Sequence, residues 1–264
     1  MRILAIDSSG LVAGVAVVEE SGGNEQTIAE YTVNYAYGAS HDPCPERAGG
    51  LRLMRCMKTH SQTLLPMLDE IVKMAELDLG EIDAIAAAAG PGSFTGLRIG
   101  SATAKGLGLA LDKPLIHIPT LEGLAYNLCG TEKIVCPILD ARRGQVYAGI
   151  YEFDGDRLSV LEDQMAVSIE ELGEHLRVYG RKVIFLGDGV PVFREKLTEK
   201  IMAGCDISFA PANLNRQRAA SVGALALRYY REGKMERAAD HRPDYLRMSQ
   251  AEREKQEKEE RKDD

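Results

Sequence analysis

ILAIDSSGLVAGVAVVEE, residues 3–20, reads as an apolar strand closing on Asp7, a turn at Ser8–Gly10, and a returning strand. The chain repeats the design at residues 134–153, IVCPILDARRGQVYAGIYEF, where the strand closes on Asp140 and ARRG makes the turn. Asp7 is followed by Gly10 and Gly14, and Asp140 by Gly144 and Gly149. The elements after each hairpin also recur. The first hairpin leads into a third strand (QTIAEYTVNY), a helix over 59–77, a buried strand (IDAIAAAA) and a glycine-rich helix to Leu111. The second leads into RLSVLEDQMAV, SIEELGEHLRVY, KVIFLGDG and VPVFREKLTEKIM, read as strand, helix, strand and helix. A β-β-β-α-β-α order written twice predicts internal duplication: an α/β protein of two lobes, with both Asp residues at the ends of first strands facing a shared cleft.

Working outward, GPGSFTGLRIGSATAKGLGLAL (Gly90–Leu111) runs from a turn into a helix almost free of large polar side chains. Gly90, Gly92 and Gly96 can take positive φ or let another backbone approach closely. Ser93 stands where an N-cap belongs. Gly100, Ala102, Ala104, Gly106, Gly108 and Ala110 leave shallow grooves. Each helical glycine gives up ~1 kcal/mol relative to alanine, a cost that close packing would offset. The segment is therefore read as a small-residue packing interface in preference to a nucleotide loop. A glycine-rich loop opening a helix can hold phosphate, but neither G-x-x-x-x-G-K-[ST] nor G-x-G-x-x-G is present. Lys105 lies about three turns in, too far to reach a phosphate at the helix start. In the preceding helix Leu64, Leu65, Leu68, Ile71, Val72 and Ala75 have helical spacing, Thr59 and Gln62 form a capping-box pair, and Pro66 should bend the helix or mark its first turn.

At 264 residues, 27% of them charged and 45% hydrophobic, the chain can bury a full core and is long enough for two compact domains. A net charge of −8 argues against a surface that binds nucleic acid unaided. No window approaches the ~18 apolar residues of a spanning helix. Five scattered cysteines without a CxxC pair suit reduced thiols in the cytoplasm. AASVGALALRYYREG is a last amphipathic helix, and MSQAEREKQEKEERKDD reads as a solvated helix or disordered tail. The division expected is residues 1–111 for the N-terminal lobe, with an insertion at about 38–58, residues 112–233 for the C-terminal lobe, and 234–264 as a charged tail.

THSQTLLPML, GPGSFTGLRIGSATAKGL, ILDARRGQVYAGIY and the late PDYLR together resemble the bacterial TsaB (YeaZ) family, over Met1 to about Arg247. The resemblance implies two duplicated RNase H-like lobes of the actin, Hsp70 and sugar-kinase (ASKHA) architecture. It implies a non-catalytic dimerisation subunit of the complex that makes threonylcarbamoyladenosine in tRNA. The expected partners are the catalytic homologue TsaD, the P-loop ATPase TsaE and, through the complex, tRNA; alone, such a subunit forms a homodimer. Two first-lobe helices, about His60–Leu77 and Ser93–Leu111, would make the contact. Its candidate residues are His60, Ser61, Leu64, Leu65, Leu68, Gly92, Ser93, Phe94, Thr95, Gly96, Leu97, Arg98 and Gly100. No catalytic residue, no membrane and no required cofactor are expected.

Within that superfamily the first-strand and second-lobe Asp residues hold a metal-bound nucleotide, so the rival reading is an ATP-dependent transferase or kinase using Asp7 and Asp140. Ser8-Ser9-Gly10 is a partial phosphate hairpin, Ala-Arg-Arg after Asp140 lacks the glycines such a turn wants, and Gly187 and Gly189 resemble a weakened adenosine-side turn. Residual binding of ATP or ADP stays open. The catalytic homologue's paired-His metal motif is half present, since His60 has no second His four residues on. A peptidase is disfavoured because no Ser/His/Asp set or HExxH is visible. The insertion departs from the family pattern. His41, Cys44, Cys56 and His60 give H-x2-C…C-x3-H, a zinc pattern of unusual order set against a plain surface loop. Arg142 and Arg143 read as RNA contacts or, more simply, as a solvated turn. Arg98 reads as an interface or cleft hydrogen-bonder, His117 and His175 as structural, Tyr147 and Tyr151 as core, and Arg216, Arg218, Arg228 and Arg231 as a weak RNA signal.

Overall fold

A computed structural model describes residues 1–35 and 59–247, so His41, Cys44 and Cys56 of the candidate zinc pattern and the stretch from 248 onward lie outside the described residues. β1 (Arg2–Asp7), β2 (Val12–Ser21) and β3 (Asn24–Asn34) form an antiparallel meander in which Asp7 pairs with Gly14. β4 (Ala84–Ala88) runs parallel to β1, and β5 (Leu115–Ile118) parallel to β4. The second half builds the same object from β6 (Ile134–Asp140), β7 (Gln145–Asp154), β8 (Arg157–Ser168), β9 (Val183–Leu186) and β10 (Ile207–Phe209). The strand orders are β3-β2-β1-β4-β5 and β8-β7-β6-β9-β10, so the duplication read from the hairpins is a duplication of whole sheets. The edge strands β5 and β10 were not expected. LIHI and ISF are too short to declare themselves, and only pairing with β4 and β9 makes them strands.

The helices α1 (His60–Met74) and α2 (Phe94–Leu111) cover one face of the first sheet. α1 buries Leu64, Met67, Leu68 and Ile71, the i, i+3, i+4, i+7 stripe of an amphipathic helix, in one cluster with Leu4, Ile6, Val15, Val17 and Ile85. Each such side chain contributes ~1.5–3 kcal/mol by leaving water. The capping box of Thr59 and Gln62 is formed. Pro66 sits in the second turn, and the helix continues through it to Met74. Ser93 caps α2 by accepting a hydrogen bond from Gly96 N at 3.3 Å. Ser93→Ala is expected to cost ~1 kcal/mol, read as a lower urea midpoint.

The chain does not divide at residues 111 and 112. β5 completes the first sheet, and after the second lobe α6 (Ala219–Arg231) returns to pack on the first sheet's other face through Val222, Leu225 and Ala226. Between the lobes lies α3 (Thr120–Ala125), whose Leu121, Leu124 and Ala125 join Val135, Leu139 and Tyr151 in a common cluster. α4 (Ile169–Tyr179) and α5 (Val190–Lys196, extended by a π-helical turn through Leu197–Ile201) cover the second sheet. Residues 234–247 are no loose tail. Glu236 exchanges backbone hydrogen bonds with Leu115, Asp244 N donates to Ala89 O, and Arg247 donates to Ala141 O.

Candidate partner-docking face

The helical period divides the glycine-rich helix into two rows with different duties. Gly96, Gly100 and Gly108 are buried, and Gly92 is half-buried. A Cβ at Gly92 would fall inside contact distance of Ser9 O, at Gly96 of Ser8 O, and at Gly100 of Ser8 Oγ. These glycines let the first-lobe turn lie directly on the start of α2. Ser93 N donates to Ser9 O at 2.6 Å and Ser8 Oγ donates to Gly96 O at 2.8 Å. The opposite row, Thr95, Arg98, Ala102, Gly106, Leu109 and Ala110, is exposed. A Cβ at Gly106 would meet nothing within 4 Å among the described residues. On α1 the outward side chains include Ser61, Leu65 and Met74, with Leu65 54% and Leu109 64% exposed.

The thirteen candidate contact residues separate accordingly. Leu64, Leu68, Gly96, Leu97 and Gly100 are buried within this chain and cannot give area to another protein. Ser61, Leu65, Ser93, Thr95 and Arg98 are exposed, and His60, Gly92 and Phe94 are half-buried. Phe94 packs on Tyr245 with ring centroids 4.8 Å apart and carries the Arg98 guanidinium 5.1 Å from its centroid. His60 Nε2 lies 2.8 Å from Gly10 O, and its ring stacks on Tyr35. Sequence reading missed Ala102, Gly106 and Leu109 as outward residues; helical phase taken from the buried Leu97 would have found them.

The two Asp turns use one device. Asp7 Oδ1 accepts from Ser9 N at 2.8 Å and Ser9 Oγ at 2.7 Å, and Asp140 Oδ1 accepts from Arg142 N at 2.9 Å. Each carboxylate thus ties down the turn two residues ahead of it. Arg142, Arg143 and Gly144 all have positive φ, and Arg142 pairs with Asp140 at 3.3 Å, which favours the solvated-turn reading of this arginine pair. Around the Gly187–Gly189 turn, Gly187 N donates to Asn215 O and Oδ1, Gly189 N to Ile138 O, and Asp140 N to Asp188 Oδ1. Residues 215–217 run between the turns, since Gln217 also covers Gly10. The amides a phosphate would need at Ser9, Gly187 and Gly189 are therefore engaged by protein acceptors.

Burial pushes the Asp7 carboxyl above the ordinary carboxylate range, with the two Ser9 bonds opposing it. The folded chain then holds this proton more tightly than the unfolded one. Asp7's contribution to stability declines as pH rises from the ordinary carboxylate value through the raised folded one. Asp7→Asn keeps an acceptor for both Ser9 bonds and removes the charge. It is expected to raise the urea midpoint near neutral pH and flatten the acid-side pH dependence.

The other candidates are engaged structurally. His117 Nε2 pairs with Asp244 at 2.9 Å and His175 Nδ1 with Glu162 at 2.5 Å. Tyr151 is fully buried, and Tyr147 packs against the same cluster. Arg218 pairs with Glu30, Arg228 with Asp156, and Arg231 with Glu20 and Glu25, so these three cations are matched by acids. No helix among the described residues is long and apolar enough to cross a membrane.

Two sheets of identical order, each opening on a hairpin whose first strand ends in Asp, define a duplicated RNase H-like protein of the actin-like class. The family model described as TsaD, tRNA N6-adenosine threonylcarbamoyltransferase, matches residues 38–255. The tRNA threonylcarbamoyladenosine biosynthesis protein TsaB of Bacillus subtilis is 31% identical over 255 residues, covering 96% of each chain. The protein of the same name in Escherichia coli is 33% identical over 175 residues, 65% of this chain and 64% of that one. A Pseudomonas aeruginosa crystal structure described as similar to peptidase YeaZ superposes with a TM-score of 0.71 at 24% identity, covering 93% of this chain and 99% of that chain. The chain belongs to the TsaB (YeaZ) family.

Proposed function

We propose that this chain is a non-catalytic subunit of the machinery that forms threonylcarbamoyladenosine in tRNA, pairing with a TsaD homologue through the outward faces of α1 and α2. The relatives named TsaB support the pathway, and the match to the TsaD family model supports a partner of the same build, because duplicated homologues commonly pair through related surfaces. The observation that carries the docking face is Gly106. It costs the helix ~1 kcal/mol relative to alanine, yet none of the described residues needs it small. A second protein resting on Ala102 and Gly106, with Leu65 and Leu109 beside them, supplies the reason. In this reading the ATPase TsaE and tRNA join the pair rather than this chain alone, the setting is the cytoplasm, and no cofactor is needed because the turns hold their own amides. Gel filtration of an equimolar mixture with TsaD, at micromolar protein with nucleotide present, is expected to give a co-eluting pair. Separate peaks would overturn the proposal.

A second reading, an ATP-dependent transferase or kinase acting through Asp7 and Asp140, draws on one feature. Both ends of the Gln217 amide, which covers Gly10, and Nη1 of the adjacent Arg216 are buried without a hydrogen-bond partner among the described residues. Such orphaned groups are what a residual ATP or ADP site would leave when empty of protein partners. Calorimetry with Mg-ATP separates the readings, since only the enzyme predicts tight binding that Asp7→Asn abolishes.

A further inference from the structure

One cluster at the edge of the first sheet is used by neither the docking reading nor the nucleotide reading. β5 carries His117, and the segment after α6 is laid along this strand by the paired backbone hydrogen bonds of Glu236 and Leu115, both 2.9 Å. Leu115 and His117 point to the same side of the strand, so Glu236 arrives beside His117. Five residues on, His241 turns back into the same space, with its carbonyl and that of Ala239 held by Lys105 Nζ at 3.1 and 2.9 Å. The His241 side chain is completely enclosed. Its Nδ1 lies 2.6 Å from Glu236 Oε1, and its ring meets His117 edge-on with centroids 5.6 Å apart. Its Nε2 is buried with no hydrogen-bond partner among the described residues. An unmade bond of that kind costs ~1–3 kcal/mol.

We propose that His117, Glu236 and His241 bind a divalent transition metal of the zinc class. Their donor atoms lie within 4.8 Å of one another. Two ligands each ~2.1 Å from one ion are at most about 4.2 Å apart, so a small side-chain adjustment closes the set. Two imidazoles and a carboxylate favour zinc, cobalt or nickel over the all-oxygen shells of magnesium or calcium. Asp244, 2.9 Å from His117 Nε2, can hold that nitrogen while Nδ1 faces the ion, a carboxylate–histidine–metal arrangement. A surface hollow lined by Pro119, Tyr229, Lys234 and Met235 reaches His117 and Glu236 and admits an ion from solvent. The ion would rivet residues 236–244 to β5. This segment then supports the start of α2, because Asp244 N donates to Ala89 O and Tyr245 packs on Phe94.

The test is calorimetric titration of the chelator-treated full chain with zinc chloride, followed by cobalt spectroscopy and melting. One equivalent is expected to bind, raising the melting temperature, with a cobalt spectrum free of a thiolate charge-transfer band. His117→Gln, at a partly exposed position, should weaken binding about tenfold or more; Glu236→Gln serves if that variant misfolds. Cys44→Ser combined with Cys56→Ser should bind as the parent does. Absence of binding, undiminished affinity in His117→Gln and Glu236→Gln, or loss of binding in the double cysteine variant would each overturn the site.

Discussion

Gly96→Val is expected to be among the most damaging single substitutions in the chain, costing about 3 kcal/mol, while Gly106→Ala in the same helix stabilises it by up to ~1 kcal/mol. The two glycines share a residue type and a helix but not an environment. At Gly96 any Cβ falls on the Ser8 carbonyl, which is backbone and cannot swing aside like a side-chain tip. Relief requires lifting α2 off the first-lobe turn. That movement strains the Ser93 N to Ser9 O bond and the Ser8 Oγ to Gly96 O bond together. Gly96→Ala already introduces the offending atom, and valine adds two methyl groups and a stiff χ1. At Gly106 the added methyl meets only solvent and gains helix propensity. Urea denaturation of the three variants reads the effect directly. Equal midpoints for Gly96→Val and the parent chain would show that the close turn-to-helix packing is not what holds this corner together.

The same contrast shows how far the sequence could be read. The paired hairpins were legible because each is a pair of apolar runs closing on Asp, and their recurrence reveals the duplication without any three-dimensional knowledge. The interface reading of Gly90–Leu111 was half legible. Small residues at every second or fourth position announce close packing, but they do not say that the glycines belong to two surfaces. In the fold Gly96, Gly100 and Gly108 serve the chain's own β1 turn, β5 and C-terminal segment, and the outward row is exposed. Leu64, Leu68 and Leu97 were misplaced for a related reason, since apolar side chains suit a core as well as a contact. The C-terminal segment was not legible. Its buried residues, Ala238 and His241, are isolated among charges, and what orders them is supplied from distant positions by Leu115, Lys105 and Ala89. Local composition cannot report contacts separated by more than a hundred residues, and the metal cluster on that segment was invisible for the same reason.

Gly106→Arg should separate stability from association. The substitution costs the fold nothing, because the position is open and arginine is a better helix former than glycine. Against a partner it places a long, charged side chain where two helices must approach closely. Standard interfaces bury ~800 Å² on each side with a few dominant contacts. A charge left without a counter-ion in such a contact is expected to lower affinity about 100-fold, or ~2.7 kcal/mol. Leu65→Glu on α1 should act in the same direction, because its side chain is more than half exposed and lies on the neighbouring helix of the same layer. Both variants are expected to melt no lower than the parent and to lose co-elution with TsaD. Val192→Glu supplies the control, being an exposed apolar position on α5 of the second lobe, away from the docking layer. If Gly106→Arg and Leu65→Glu bind the partner as tightly as the parent while Val192→Glu does not, the contact belongs to the second lobe. The small-residue row would then need another explanation. If all three variants bind normally, neither helix layer carries the association, and the glycine at 106 is tolerated rather than required.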